Sequence, residues 1–287
     1  MDSHTGSTVV DAIPGSLANR QSRACFHVLG VRVDAVDILK VITTMEQWIC
    51  EGDGCHFIAV TGMHGVMEAQ HNPGFKDVLN AADLVVPDGM PLVWLGRAYG
   101  HALRRRVYGP ELMLAFCKRS TANAYRHFFY GGKPGVAKKL AEILAQRFPG
   151  ISVAGTYSPA FRPLTAEEDE KVVALINAAA ADVVWVGLST PKQERWMSEH
   201  RNCLRTPVLV GVGAAFDINS GVARQAPRWM RENGLEWLFR LLQEPRRLWW
   251  RYLGYGSEFV FSVLLDSLPF KTPFAGKSRV DGETGPK

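Results

Sequence analysis

The sequence predicts an α/β fold, a mostly parallel sheet with helices on both faces, followed by a basic helical appendage. Three observations carry that prediction. Short apolar runs bounded by Gly, Pro or Asp alternate with longer segments of helical pattern from residue 25 to residue 212. At 287 residues with 47% hydrophobic content, the chain can bury a large core. After Gly221 the texture changes: residues 224–252 hold seven arginines, no lysine, three glutamates and four of the eight tryptophans.

Taken in order, residues 1–23 are rich in Ser, Gly and Asp and read as disordered. Order starts with a β-type stretch at 25–33 containing Gly30, after which Asp37 can cap a helix running to about Cys50. Residues 57–60 form a short buried strand ending at Thr61-Gly62-Met63-His64. A helical segment follows, then the strand Leu84-Val85-Val86, where Pro87 removes a backbone donor and Gly89 allows a sharp turn. Gly109-Pro110 opens an amphipathic helix over 111–120, with Pro110 in its first turn. A strand at 127–130 leads into Gly131-Gly132-Lys133-Pro134-Gly135 and a helix to Phe148, and 151–155 is another strand. Thr165 and Glu168 make a capping box for the helix through Ala180. Residues 182–187 are a strand, Pro191 opens a helix and 207–212 is the last strand. The expected organisation is a catalytic domain over 24–222, a basic aromatic helical appendage over 223–256 with two helices meeting at Pro245, and a C-terminal segment with a loose tail over 257–287.

The net charge of +5 favours an anionic partner: nucleic acid, a phosphorylated substrate or an acidic membrane surface. Cys25, Cys50, Cys55, Cys117 and Cys203 are scattered and odd in number, which supports neither a disulfide framework nor a zinc site and fits a reducing cytoplasm. No secretory signal and no apolar run of about 20 residues is present, so a secreted or membrane-spanning chain is not expected.

Asp88 is the candidate on which the chemistry turns. It follows an apolar strand, and in open α/β sheets the ligand crevice lies outside the carboxyl ends of the strands, where an acid can handle a proton. The plainer reading makes Asp88 the N-cap of a helix beginning near Met90. Gly131 and Gly132 with Lys133 lie between strand and helix, where free amides and the helix dipole suit a diphosphate, although an ordinary tight turn is the more common explanation. Gly187-Leu188-Ser189-Thr190-Pro191-Lys192-Gln193-Glu194 sets hydroxyls, an amide and a lysine at a strand end, suited to hydrogen-bonding a sugar or nucleotide. A helix capped by Ser189 or Thr190, with Pro191 at its first position, uses the same residues. Residues 211–216 begin like a dinucleotide fingerprint, but Phe216 takes the third glycine position. His64 is a possible base, and more ordinarily a packing residue. With no Asp-x-Asp pair and no His/carboxylate cluster at ligand spacing, no metal site is expected and no cofactor is implied. A departing diphosphate would then be met by arginine, lysine or helix amides.

Seven blocks now occur in order: the Thr61 segment, Ala82-Asp83-Leu84-Val85-Val86-Pro87-Asp88-Gly89-Met90-Pro91, Arg106-Val107-Tyr108-Gly109-Pro110-Glu111, Phe129-Tyr130-Gly131-Gly132-Lys133-Pro134-Gly135, Val186-Gly187-Leu188-Ser189-Thr190-Pro191-Lys192-Gln193-Glu194, Gly213-Ala214-Ala215-Phe216-Asp217 and the run from Gly234 to Arg247. Together, over about residues 26–255, they resemble the WecG/TagA/CpsF glycosyltransferases. The resemblance implies a Rossmann-like fold and an inverting transferase. It would move a sugar of N-acetylmannosamine type, a mannosaminuronate or a glucose from a UDP-sugar donor to a polyprenyl-diphosphate-linked saccharide at the cytoplasmic membrane face. It matches Asp88 to the family's general base, Thr61 to its active-site threonine and Gln193 to a glutamine near the sugar. It assigns Gly131, Gly132, Lys133, Gly187, Pro191, Lys192, Gln193 and Asp217 to the donor, and Arg240, Arg247 and Arg251 to the acceptor diphosphate. Many members carry Asn where this chain has Met63, which bears on how the sugar is held.

Two other classes compete. A nucleotide-sugar epimerase or dehydrogenase would share the sheet, but the interrupted glycine pattern and the lack of a Tyr-x-x-x-Lys pair oppose it. A nucleic-acid binder would use the arginines, yet the tryptophans and leucines among them suit phosphate and lipid better. The same apolar face could also pack onto the sheet or join subunits as a homo-oligomer.

Overall fold

The computed structural model describes residues 23–249 and 253–267. The expectations for residues 1–22 and for the tail from 268 onward lie outside them. Arg23, which the sequence reading leaves in the N-terminal segment, already donates to the Asp83 carbonyl at 2.6 Å.

The β-type stretch is a hairpin, β1 (Cys25–Val28) antiparallel to β2 (Val31–Asp34). Leu29 and Gly30 turn it with φ of 52° and 76°, the left-handed pair that a two-residue turn between twisted strands requires. Its Asp34 accepts the Val85 N–H at 2.8 Å. That bond occupies a donor on the outer edge of the main sheet, which would otherwise be open to another strand.

The main sheet has six strands, β3 (His56–Thr61), β4 (Leu84–Pro87), β5 (Arg126–Gly131), β6 (Ser152–Tyr157), β7 (Val183–Gly187) and β8 (Val208–Gly211). They lie in the order β4-β3-β8-β7-β5-β6, and every neighbouring pair is parallel. All the carboxyl ends therefore fall on one rim. Side chains alternate between faces, as strand geometry dictates. Phe57, Ala59, Val85, Tyr130, Val186 and Leu209 enter one core, and Ile58, Val60, Val86, Phe129, Trp185 and Val210 the other. The first is covered by the hairpin with α2 (Met63–His71), α3 (Pro73–Ala81), α4 (Met90–Ala98), α7 (Ala166–Ala179) and α8 (Lys192–His200). The second is covered by α1 (Ile38–Glu51), α5 (Gly109–Asn123), α6 (Val136–Arg147) and α9 (Ala215–Asn219). Each large apolar side chain buried this way contributes roughly 1.5–3 kcal/mol, so both faces hold the sheet in place.

Local signals act where they were read. Asp37 accepts from Lys40 N at 2.9 Å at the start of α1. Thr165 and Glu168 make both bonds of the capping box on α7, at 2.9 and 3.2 Å. Pro110 lies in the first turn of α5, which starts at Gly109. The start of α8 differs from the capped arrangement: Pro191 is itself the N-cap residue, after a cis peptide bond, with no side-chain cap. Thr190 donates instead to the buried Glu194 at 2.8 Å.

Beyond Gly221 the chain forms α10 (Arg228–Glu232), α11 (Glu236–Gln243) and α12 (Pro245–Trp249), the last two meeting at Pro245 as expected. A further helix, α13 (Tyr255–Ser267), stands where the sequence reading put only a C-terminal segment. It buries Phe259 in the first core and sets the Tyr255 ring against His64 and His71, with centroids 5.4 and 5.5 Å apart. Its outward residues Val260, Phe261, Leu264 and Leu265 are also apolar, so no polar face marks the helix in the sequence.

Candidate active site

The rim built by the carboxyl ends of β4, β3, β8, β7 and β5 carries most of the candidate residues. Thr61 closes β3 opposite Pro87 of β4, and its carbonyl accepts the Asp88 N–H at 2.8 Å. Its own hydroxyl is buried with no hydrogen-bond partner among the described residues, and Gly65 leaves it room: a Cβ there would fall 2.6 Å from the oxygen. A buried polar atom in that condition costs stability unless something arrives to bond it.

Asp88 follows β4 directly and is half-buried. It does not cap α4, whose N-cap is Gly89 without a side-chain bond. Its Oδ1 accepts instead from the Gly109 N–H at 3.3 Å. Burial pushes the carboxyl up to about 6, and neighbouring Glu236 pushes the same way, while Arg106, the Gly109 amide and Arg240 pull it down. An acid with that proton affinity is ionised at neutral pH, yet binds a proton more strongly than an ordinary aspartate.

Three residues at this site were not singled out from the sequence. Arg106 donates to the Asp88 carbonyl at 3.4 Å, lies over the Tyr108 ring at 4.1 Å and pairs with Glu236. Tyr108 donates to the other oxygen of Glu236 at 2.7 Å. Glu236 comes from α11, and only the structure joins it to residues 128 and 130 positions earlier. Gly234, just before it, presses on α4: a Cβ there would lie 3.2 Å from Met90 and 3.4 Å from Trp94. The helical appendage thus packs beside Asp88. Arg240 is half-buried on α11 and near enough to act on that carboxyl, whereas the Arg247 side chain and Arg251 lie outside the described residues.

Farther along the rim the glycines pack backbone on backbone. Gly131 and Gly187 are register partners, Gly132 N donates to Gly187 O at 3.0 Å, and a Cβ on Gly131 would sit 2.6 Å from the Gly187 backbone. Phe216 supports this turn from beneath, within 2.6 Å of where a Gly187 Cβ would be. Its position as the missing third glycine therefore has a packing reason. Asp217 follows it on α9, half-buried, with its carbonyl accepting from Ala223 N at 2.8 Å. Lys133 is exposed in the turn before α6, and Lys192 is exposed at the start of α8, its ammonium 5.7 Å from the Phe161 ring. Gln193 is 2% exposed beneath Gly211 and Gly213. Its Nε2 donates to Glu194 at 3.0 Å, and its Oε1 has no partner among the described residues. Gly109 joins the two halves, bonded to Asp88 and fitted against Val212 at the end of β8, whose carbonyl a Cβ would meet at 3.4 Å.

His64 is placed as a packing residue, in ring contact with Tyr255. Met63 begins α2 and lies against Gly256, which a Cβ would bring to 3.8 Å from its methyl. A cleft of about 590 Å³ between His71 and Trp249, Leu253 and Tyr255 touches none of the candidate residues that are described. Among the described residues no group of three or more His, Cys, Asp or Glu side chains can hold a metal ion, and no helix is long and apolar enough to cross a membrane.

Known proteins are similar to this chain. The profile of the glycosyl transferase WecG/TagA/CpsF family matches residues 26–272. The N-acetylglucosaminyldiphosphoundecaprenol N-acetyl-beta-D-mannosaminyltransferase of Bacillus spizizenii W23 is 31% identical over 235 residues, which cover 81% of this chain and 89% of that protein. Proteins of the same name from Staphylococcus aureus MW2 and Bacillus subtilis 168 are 27% and 31% identical, over 81% and 69% of this chain and 90% and 75% of theirs. With a family match over all six strands of the parallel sheet and the described C-terminal helices, the chain belongs to the WecG/TagA/CpsF family of glycosyl transferases.

Proposed function

We propose that this chain is an inverting, metal-independent glycosyltransferase. It moves a sugar of N-acetylmannosamine type from a UDP donor to a saccharide carried on a polyprenyl diphosphate. The names of the relatives support both the sugar and the lipid-linked acceptor. The observation that carries the chemistry is Asp88, desolvated at the carboxyl end of β4 with its proton affinity raised to about 6.

On this reading Asp88 takes the proton from the acceptor hydroxyl as that oxygen attacks the anomeric carbon. The bond from that carbon to the diphosphate breaks on the opposite face, and UDP leaves with the electron pair. Gln193 and Thr61 each bring a buried oxygen without a partner among the described residues, suited to bonding hydroxyls of the bound sugars. The glycine turn at Gly131, Gly132 and Gly187, with Lys133, Lys192, Pro191 and Asp217, holds the nucleotide diphosphate and its base. Arg240, with Arg247 and Arg251, meets the acceptor diphosphate. Guanidinium groups supply positive charge to phosphate oxygens without a divalent ion.

The acceptor's lipid sets the location, peripheral to the inner face of the cell membrane. Trp229 is 60% exposed and Leu242 72%, and Phe261 and Leu264 are also exposed on the C-terminal helices. Together with the arginines they suit the headgroup layer. Sedimentation with anionic vesicles, with Trp229 and Phe261 replaced by Ser, tests this, and self-association measured by light scattering without vesicles is the competing outcome. The central experiment incubates the full chain with a short-chain prenyl-diphosphate N-acetylglucosamine and a panel of UDP sugars, reading product mass with and without chelator. Transfer from UDP-N-acetylmannosamine that Asp88→Asn abolishes is expected. Undiminished turnover by that variant, or product only from another nucleotide class, would overturn the reading.

A further inference from the structure

We infer that Glu236 is a positioning residue for the transfer reaction: from the C-terminal helix α11 it grips Arg106 and Tyr108, and through them holds Asp88 in its working place. The inference rests on Asp88 being the base.

Glu236 is 7% exposed, and each of its carboxylate oxygens has a separate partner, Arg106 on one and the Tyr108 hydroxyl on the other. Those partners belong to a segment laid along the end of β4. Arg106 donates to the Asp88 carbonyl, Val107 N donates to the Pro87 carbonyl at 2.7 Å, and Gly109 N donates to the Asp88 carboxylate. Segment 106–109 therefore sets where the Asp88 backbone sits and what its side chain bonds. Glu236 fixes that segment from outside, at the first turn of a helix, where a negative charge is favoured. A buried carboxylate that spans an arginine and a tyrosine is costly unless both bonds form, so the grip is specific in geometry.

The second part is electrostatic. Among the described residues, the charged and titratable groups facing Asp88 are Arg106 and Tyr108 from the loop before α5, and Glu236 and Arg240 from α11. Arg106 and Arg240 favour the ionised carboxylate and Glu236 opposes it. Without the Glu236 charge two guanidinium groups would hold Asp88 ionised to lower pH, and it would be a weaker base. Glu236 thus sets the balance as well as the geometry, and the site has both only when the appendage is seated.

The test compares the full chain with Glu236→Gln, Glu236→Asp and Asp88→Asn, using initial rates from pH 5 to 9 and UDP binding by calorimetry. In Glu236→Gln, kcat is expected to fall about tenfold or more. The acid limb of kcat/KM is expected to move below that of the wild type measured alongside it, and UDP affinity to stay within about twofold. Glu236→Asp restores the acid limb and part of the rate. An unmoved acid limb, or an unchanged kcat, overturns the inference while leaving the base assignment intact. Normal turnover by Asp88→Asn instead removes the base assignment, and this inference falls with it. Should Glu236→Gln fail to fold, Tyr108→Phe removes one grip and keeps both charges. It must lower kcat about threefold or more at unchanged donor KM, and an unchanged kcat overturns the inference.

Discussion

Replacing Asp88 by Asn should make the protein more stable at neutral pH while removing transfer. The carboxyl is lifted from 3.8 to about 6 chiefly by burial, so ionising it in the folded state costs more than ionising it in the unfolded chain. The sign follows from linkage. Below about 4 the group is protonated in both states and costs nothing, while above its folded value of about 6 the whole difference is charged against folding. That displacement corresponds to on the order of 3 kcal/mol. That figure already includes the attraction to Arg106, and Asn keeps an oxygen for the Gly109 N–H, so the expected gain is roughly 1–3 kcal/mol at pH 7.5. For a chain of this size, that is a rise in Tm of roughly 2–10 °C. Melts and urea unfolding at pH 4, 5.5 and 7.5 measure it. The gain should be largest at pH 7.5, shrink through 6 and vanish near 4. A variant less stable than wild type at pH 7.5, or a difference flat across the range, would refute the argument that Asp88 is held desolvated for use.

Other expectations follow from the same coordinates. Gly187→Ala puts a methyl 2.6–2.9 Å from the Phe216 ring. It should cost roughly 1–3 kcal/mol in urea unfolding and weaken UDP binding about tenfold by calorimetry, since the ring supports the glycine turn. Phe259→Ala should cost roughly 3 kcal/mol or more and release α13 from α2, seen as faster hydrogen exchange in residues 63–71. His56 feels burial that lowers its pKa, but its bonds to Asp83 and Asp53 outweigh that and hold it above the ordinary 6.5. Its ion pairs therefore stabilise fully below 6.5 and fade as pH rises through the raised folded value. Asp53→Asn should cost roughly 0.5–1 kcal/mol at pH 6 and nothing near pH 9, and equal losses at both would contradict the pairing.

The fold was legible because each signal was local. The apolar runs, the cap at Asp37 and the Thr165 capping box depend on neighbours within a few residues, and they locate strands and helices whatever lies elsewhere. The site was legible as far as strand ends could be counted: Thr61, Asp88, Gly131 and Gly187 fall on one rim because parallel strands end together. Glu236 was not legible. Its meaning is its distance to Arg106 and Tyr108, and a glutamate at the start of an amphipathic helix looks like any solvated first-turn acid. The hairpin turn at Leu29-Gly30 and helix α13 escaped for related reasons. A leucine at φ 52° carries no sequence mark, and an apolar helix without a polar face has no stripe.

The rim gathers several costs in one place, beyond the buried unpartnered nitrogens that the described residues also hold in the core at His127 Nε2 and Trp196 Nε1. Thr61 and Gln193 bury oxygens without partners among the described residues, Asp88 gives up solvation, and Gly131 and Gly187 touch where any side chain would collide. None of this helps the fold, since a hydroxyl or amide of that kind would be better replaced by an apolar group if packing were its only task. The two cores on either side of the sheet are apolar and tightly filled, and they offset these costs. A chain that spends stability at the carboxyl ends of adjacent strands, and then lays a helix bearing Glu236 and Arg240 beside them, has its unmet bonding capacity where a polar ligand can reach it. Without that helix Arg106 would lose its ion pair with Glu236, and the Tyr108 hydroxyl its carboxylate acceptor. On the proposed reading, in which Asp88 is the base, those contacts make the C-terminal helices part of the chemistry.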